Sequence, residues 1–458
     1  MHRFFVGEIY KGVLIGQDDY LFLYGGAQKQ FSYLTGELEP SRQDIVNFVY
    51  NVKRRGEFCT ARGIKYLHVV FPSKPVIMRS KLPQHFQEKV LSLFLTHYQD
   101  NVDAVCGKYV WYPYELLSSC NDENPIFRTL DTHMSDWGKL SFSNALLSKL
   151  GMNHNLTQGF RERTRKASGD LAVMLGTAAQ VEEQCFYPTH TSFIADNRLA
   201  LPSNTGNISI YHNSQSLTDC RLLVFGDSFI KETLRFLSAI FRDILYMRGS
   251  FDRSAVDLFE PMVVLSSNTE RYLSKVLDDD DSNNLLFQNY GVSKYRPSEA
   301  FVNAYLAQLS WKNNRKQYDS WLDTSTSVWP CFHGLGPCQT NSQVKIIDRD
   351  SLEFQSIGTD PIFLFHNTSI EKDRRYLLHV DLLSEIESKA VVYYTCAPEA
   401  RKFSENRAVR LPVRIGKNKL EFELPCTNLE KGLRLDPLAH AGKFKILSIR
   451  LSIQPEFK

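Results

Sequence analysis

The sequence predicts an α/β domain over residues 1–275, with a parallel sheet covered by helices, followed by an all-β sandwich over residues 340–458. Three observations carry that expectation. In the first part, continuous apolar runs alternate with amphipathic stretches, as in "LLVFGDSFIKETLRFL" at 222–237. After residue 340, short segments alternate apolar with polar residues and are separated by turn residues. A length of 458 residues, 43% of them hydrophobic and 23% charged, exceeds what one ordinary core holds.

Near the N-terminus, "GVLIGQDDYLFLY" places two apolar runs around Gly-Gln-Asp-Asp and predicts a hairpin over 12–24. Ser41 is positioned to cap a helix in which Ile45, Phe48, Val49 and Val52 share one face. "IKYLHVVFPSK" reads as a buried strand from Tyr66 to Phe71, ended by Pro72, and a second helix is expected from Gln84 to Tyr98. Between 221 and 265 a strand "RLLVF", a helix with Leu234, Leu237, Phe241 and Leu245 on one stripe, and a strand "PMVVL" predict a right-handed parallel crossover. "LDDDDSNN" at 277–284 reads as a solvated loop, and 276–339 as a helical and loop connector. Beyond it, "YLLHVDLL", "AVVYYTC", "KLEFELP" and "ILSIRLSI" are strands, and Leu420, Phe422 and Leu424 against Glu421 and Glu423 show the period of two.

A net charge of +3 and a pI near 8.2 supply no concentrated basic face, so nucleic acid is not an expected partner. No uncharged apolar stretch reaches transmembrane length. Glu8, Lys11 and Gln17 interrupt the N-terminal segment, which therefore lacks the apolar core of a signal peptide. The nine cysteines (Cys59, Cys106, Cys120, Cys185, Cys220, Cys331, Cys338, Cys396 and Cys426) show no CxxC spacing and read as buried thiols in a reducing compartment. Cys331 and Cys338, flanking His333, fit no standard zinc pattern, and no metal site is expected. These features suggest a cytoplasmic protein, free or peripheral to the inner membrane.

The chemistry centres on Gly226, Asp227 and Ser228. A serine where a parallel strand ends and a helix begins sits at the carboxyl edge of the sheet, with helix N–H groups offered to a developing oxyanion, and Gly226 lets the backbone turn sharply. Asp and Ser are also favoured helix caps, so the tripeptide alone fits a structural role. A base is required before the hydroxyl becomes a nucleophile. "RTLDTHMSDWG" supplies one: Asp131 and His133, two apart in an extended segment, point to one side, and the carboxylate can orient the imidazole.

"DTHMSDWG" followed about a hundred residues later by "LLVFGDSF" resembles the alginate O-acetyltransferase (AlgX/AlgJ-like) family of SGNH hydrolase-like proteins. Further matches in order are "GQDDYLFLYGG", "IKYLHVVFPSKPVIMRSKLP", "SGDLAVMLG" and "PMVVLSSNTERYL", so the resemblance spans about 270 residues. It implies Ser228 as nucleophile, His133 as general base and acid, and Asp131 as orienter, with Asp227 shaping the turn. One oxyanion donor would be the Ser228 N–H beside Gly226; Asn268 and Arg271 are candidates for the second donor or for substrate binding, with an ion pair the alternative for Arg271. Met134 stands where the family often has Trp, and Tyr20 where Trp is usual. The C-terminal segment resembles β-sandwiches attached to bacterial polysaccharide-synthesis enzymes, which makes Tyr393, Tyr394 and Phe403 candidates for carbohydrate contacts; packing is the alternative for each.

The resemblance thus implies a serine O-acetyltransferase that acetylates a sugar hydroxyl of a bacterial surface polysaccharide, such as a capsule or O-antigen, or of its lipid-linked precursor. The acetyl donor would be acetyl-CoA or an acylated partner, and polysaccharide-assembly proteins are further candidate partners. A carbohydrate O-acetylesterase and a non-catalytic glycan-binding subunit are the competing readings.

Overall fold

The computed structural model describes residues 4–119, 124–189, 192–197, 205–281, 297–325, 332–333, 335, 338–348, 352–365, 374–396, 403–427 and 429–454. The chain divides into two units, Met1–His190 with Ile194–Val302, and Thr191–Phe193 with Asn303–Lys458. That division falls inside the stretch 276–339 suggested as a connector.

In the first unit, β1 (Ile9–Tyr10), β2 (Val13–Ile15) and β3 (Leu21–Leu23) form a small antiparallel sheet in which Val13 pairs Leu23. The turn between β2 and β3 carries Asp18 and Asp19 at φ of 51° and 61°, a left-handed conformation that aspartate tolerates better than most residues. The helix Arg42–Thr60 starts with a reciprocal cap: Ser41 Oγ accepts from the Asp44 N–H, and the Asp44 carboxylate accepts from the Ser41 N–H. Its Phe48, Val49 and Val52 are buried, as their spacing requires.

The remaining strands of this unit are β4 (Lys65–Phe71), β5 (Val110–Trp111), β6 (Phe160–Ala167), β7 (Val181–Pro188), β8 (Phe193–Asp196), β9 (Ile208–His212), β10 (Arg221–Phe225), β11 (Asp243–Met247) and β12 (Val263–Thr269). β6 and β7 form an antiparallel ribbon. The others build a sheet in the order β5-β4-β12-β10-β11-β9-β8, in which β5, β4, β12, β10 and β11 run parallel and β9 is antiparallel to β11. The helix Ser228–Leu237 leaves the end of β10 and buries Phe229, Ile230, Leu234 and Leu237 against the sheet. Burial of such side chains stabilises by about 2 kcal/mol each, which fixes the helix and its first residue relative to the strand ends.

Two elements differ from the sequence expectation. The helix expected from Gln84 to Tyr98 is two short helices, Gln84–Gln87 and Leu93–His97, because Ser92 accepts from the Leu95 N–H at 3.0 Å and caps a new helix; a further helix, Gln99–Val105, follows. In the crossover, the helix stops at Leu237, and Leu245 belongs to β11, an added strand whose apolar run is buried between β10 and β9. The aspartate run is also more than a solvated loop. Asp278 and Asp280 pair with Arg54, and Asp279 pairs with the largely buried Arg55; residues 282–284 lie outside the described residues.

The second unit contains the helix Arg315–Ser325 and two sheets. One orders Val344–Asp348, Glu353–Ser356, Gly442–Ile453, Tyr376–Ser384 and Gly416–Leu424, with Phe332–His333 alongside Gly442–Ile453. The other orders Cys338–Thr340, Phe363–Phe365, Leu429–Asp436, Ser388–Cys396 and Ala408–Val413. Their inward side chains, among them Leu420, Phe422, Val392 and Leu433, share one apolar cluster. Glu421 and Glu423 are exposed between buried neighbours, the alternation that a one-sided sheet imposes.

Cys396 and Cys426 form a disulfide, which corrects the reading of every cysteine as a thiol. Cys59, Cys106, Cys185, Cys220 and Cys338 are free, while Cys120 and Cys331 lie outside the described residues. Among the described residues, no helix is long and apolar enough to cross a membrane.

Candidate active site

Ser228 is the first residue of its helix and is half-buried at the carboxyl end of β10. Its turn is tied to both neighbouring strands. Asp227 caps the helix by accepting from the Phe229 N–H at 3.0 Å, and its other oxygen accepts from the Thr269 N–H at 2.8 Å and from the Thr269 hydroxyl. The Tyr246 hydroxyl of β11 donates to the Gly226 carbonyl at 2.9 Å. A Cβ on Gly226 would lie 2.3 Å from Ser267 Oγ and 2.7 Å from Ile230 Cγ2, so only glycine fits the turn.

The second half of the site is a loop. The Ser135 N–H bonds the Ile126 carbonyl at 2.7 Å and Phe127 bridges Met134, which closes residues 126–135 into a tight excursion. Met134 points into the core, and Ser135 caps the helix Asp136–Lys149. Asp131 and His133 stand on the loop, and His133 Nε2 lies 2.8 Å from Ser228 Oγ. His133 Nδ1 lies 2.8 Å from Asp131 Oδ1, which also accepts from the His133 N–H at 2.9 Å. Asp131 Oδ2 accepts from Arg128 Nη1 at 2.5 Å and from the Asp170 N–H at 3.1 Å. With Nδ1–H donated to the carboxylate, Nε2 is left as an acceptor for the serine proton.

Several residues beyond the expected triad hold this arrangement, two of them, Lys74 and Asp170, inside the segments that carry the resemblance. Lys74 is buried, and its ammonium donates to the carbonyls of Leu21, Arg128, Thr129 and Asp131 at 2.7–3.1 Å, which fastens the loop to β3. Arg128 donates to Glu183 of β7 as well as to Asp131. Asp170 accepts from the Thr132 N–H at 2.8 Å and from its hydroxyl. Glu232, one helical turn after Ser228, lies 3.8 Å from His133 Nδ1 and pairs with Lys139 at 2.6 Å. The i+4 spacing from Ser228 was the sequence signal for Glu232.

The charges around the imidazole set its protonation. Burial opposes the charged form of His133, but the Asp131 hydrogen bond and the charges of Glu232, Asp131 and Asp170 outweigh it and raise the pKa above the usual value. Burial likewise opposes ionisation of Asp131, yet its hydrogen bonds from His133 and the charge of Arg128 hold it well below the usual carboxylate range. Donor atoms of Asp131, His133 and Asp170 lie within 4.8 Å of one another, a spacing a cation could use. Their oxygens and Nδ1 are already matched to internal donors and acceptors, so the set fits a proton relay better than a metal.

The remaining expected site residues divide. Arg271 lines a small pocket with Lys74, Thr132 and Phe229, and its guanidinium lies 5.6 Å from the centre of the Phe229 ring, next to Ser228. Asn268 is a correction. Alternation along β12 turns Ser266 and Asn268 to the opposite face from Thr269, and the Asn268 amide accepts from His68 Nε2 at 2.8 Å and donates to the Thr269 carbonyl. Tyr394 is also corrected, since it is buried in the core of the second unit. Tyr393 is half-buried, donates to Glu405 at 2.9 Å and has the Arg434 guanidinium 4.7 Å from its ring centre. Phe403 is half-buried near Gly432. Tyr20, at a position where a substrate contact was in question, is buried beside Lys74.

Fold and site together define an α/β protein with a serine–histidine–aspartate hydrogen-bonded chain at the carboxyl edge of a mainly parallel sheet. No family model and no curated protein matches the sequence. Solved structures similar to the chain include PatB1 of Bacillus cereus, at 12% identity and a TM-score of 0.42 over 62% of this chain and 99% of that one. The O-acetyltransferase domain of AlgJ from Pseudomonas putida is similar at 15% identity and a TM-score of 0.40, covering 62% and 99%. AlgX of Pseudomonas aeruginosa is similar at 12% identity and a TM-score of 0.37, covering 97% and 91%.

Proposed function

We propose that the chain is an SGNH-type serine O-acetyltransferase that acetylates a hydroxyl of a bacterial polysaccharide or its precursor. The observation that carries the reading is the 2.8 Å approach of His133 Nε2 to Ser228 Oγ, with Asp131 at 2.8 Å behind the ring. Ser228 Oγ attacks the acetyl carbonyl carbon while its proton passes to His133 Nε2. The Ser228 N–H, in the first helical turn where backbone donors have no intrahelical partner, faces the developing oxyanion. The tetrahedral species collapses with loss of the donor's leaving group, which takes the proton from His133. A sugar hydroxyl then attacks the acetyl-serine, gives its proton to His133 and leaves as the acetyl ester, and Ser228 recovers its proton. Asp131 stays ionised and stabilises the imidazolium in both steps.

Tyr393 and Phe403 are the side chains of the second unit that we assign to glycan contact. The Cys396–Cys426 disulfide supports an oxidising working compartment in this reading, because such bonds persist where the environment is oxidising.

The test is intact-mass spectrometry after incubation with para-nitrophenyl acetate and, separately, acetyl-CoA. One acetyl adduct in the wild type, absent in Ser228→Ala and His133→Ala, is the expected result. Adduct decay to an acetylated oligosaccharide identifies transfer, and decay to acetate alone identifies an esterase. No adduct and no turnover with either donor would favour a glycan-binding subunit.

A further inference from the structure

We propose that a cleft at the β5 edge of the first unit is an acceptor subsite for uncharged pyranose residues of the glycan. The proposal rests on the acetyltransferase reading above and deepens it by naming the acceptor chemistry.

The cleft encloses about 430 Å³ and is lined by Phe94, Trp111, Tyr112 and Tyr114, with Asp103 and Glu115 among its polar residues. Its aromatic wall follows from the local sequence. β5 is a two-residue edge strand that ends in "WYPY", so the chain delivers three large rings in four positions at the carboxyl edge of the sheet. Tyr112 and Tyr114 are nearly parallel, at 7° with centroids 6.1 Å apart, and Phe94 stacks on Tyr112 at 4.6 Å. Trp111 is held at 5.3 Å against the buried Phe142. Trp111, Tyr112 and Tyr114 nevertheless remain partly exposed. Fixed, parallel and partly exposed rings match the flat C–H faces of a pyranose, and the carboxylates and the amide of Gln99 match its hydroxyls.

Charge selects among glycans. Among the described residues no lysine or arginine lines the cleft, whereas Asp103 and Glu115 do, so a chain of carboxylate-bearing or phosphate-bearing sugars is repelled and a neutral one is not.

Two strands, β4 and β12, separate the cleft from the strand that carries Ser228, and a hydrogen-bonded chain links the two places. The Tyr112 hydroxyl donates to the buried Glu270 carboxylate at 3.1 Å, and that carboxylate also accepts from Ser92 Oγ and from the Ser73 and Phe94 N–H groups. The next residue, Arg271, lies over Phe229. A glycan seated on the aromatic wall therefore shares the carboxyl edge with Ser228.

The experiment is saturation-transfer NMR on the full chain with cellotetraose and chitotetraose as neutral probes and tetragalacturonate as the anionic one. The same samples are assayed for the acetyl-Ser228 adduct with para-nitrophenyl acetate. We expect a neutral tetrasaccharide to bind and tetragalacturonate not to. Tyr114→Ala should weaken the neutral probe about fivefold, and Tyr114→Phe should retain it, which separates loss of the ring from loss of folding. Charge reversal in Glu115→Lys should raise the affinity for tetragalacturonate. Absence of binding by both neutral probes, preference of the wild type for the anion, or equal binding by Tyr114→Ala and wild type would overturn the subsite. Neutral-glycan binding through Tyr114 without any acetyl adduct would sustain the subsite and remove the catalytic reading instead.

Discussion

Gly169 offers the sharpest test of how the loop carrying Asp131 and His133 is held. Its φ of −128° and ψ of 171° are open to any residue, so a side chain here meets no backbone penalty and acts by contact alone. An added Cβ would lie 2.1 Å from the Leu130 carbonyl oxygen, 2.4 Å from its carbon and 2.7 Å from Asp131 Cβ. Carbon and carbonyl oxygen in contact need about 3.3 Å, so Gly169→Ala must displace Leu130 and Asp131 by roughly 1 Å. A displacement of that size costs about a hundredfold in a reaction that depends on alignment, and overpacking costs about 1–3 kcal/mol in stability. The assay is stopped-flow acylation by para-nitrophenyl acetate with thermal unfolding in parallel. Gly159→Ala serves as the control because nothing lies within 4 Å of its Cβ. A folded Gly169→Ala protein that acylates within about twofold of wild type would refute the role given to the loop.

Other expected outcomes are independent of that one. Acylation needs neutral His133, so its rate should fall as pH drops through a histidine pKa lying above the ordinary value. Glu232→Gln removes one of the carboxylates that face the ring beside Asp131 and Asp170, with Lys139 and Arg128 as the opposing charges. It should move the acid limb of kcat/KM to lower pH, and an unmoved limb would show that another group titrates. Lys74→Met removes one donor from each of four carbonyls, of which Thr129 keeps the Leu21 N–H, and should cost about 3 kcal/mol in urea unfolding; a loss below about 1 kcal/mol would show that the clamp is dispensable. Opening the disulfide, whose cysteines are 30 residues apart, by Cys396→Ser with Cys426→Ser should destabilise the second unit by about 3 kcal/mol, read as a lower thermal midpoint.

The hydrogen-bonded pair Ser228 and His133 was legible in the sequence because each half is local. Gly226-Asp227-Ser228 marks a strand-to-helix turn, and Asp131 and His133 stand two apart; the structure brings them together on a bent loop rather than in the extended segment expected. Their meeting across 95 positions was not legible from spacing; the family resemblance supplied it, and the hydrogen bond is consistent with it. Asn268 was misplaced because strand alternation, set by the pairing of Ser266 with His68, turns it to the other face of the sheet. Leu245 was drawn into a helix because its spacing from Phe241 also fits a helical stripe, whereas burial between two strands decided for β11. Glu270 looked like half of an ion pair with Arg271, yet its carboxylate serves four donors in the chain from Ser73 to Tyr112. Contacts of that kind join residues nearly two hundred positions apart, and no short-range pattern announces them. The disulfide was missed for the same reason: Cys396 and Cys426 lie on neighbouring segments only after the second unit has folded.

The two halves of the Ser228–His133 pair are anchored in different materials. Ser228 stands on the sheet, with a capped helix behind it and hydrogen bonds to strands on both sides, and its position is inherited from the core of the domain. His133 stands on a loop stitched down by a few polar side chains, chiefly Lys74, Arg128 and Asp170. Drift in those stitches can silence the chemistry while the sheet, the aromatic cleft and the second unit persist. On the function proposed above, a lineage built on this architecture can therefore pass from modifying a glycan to holding one without first losing its fold.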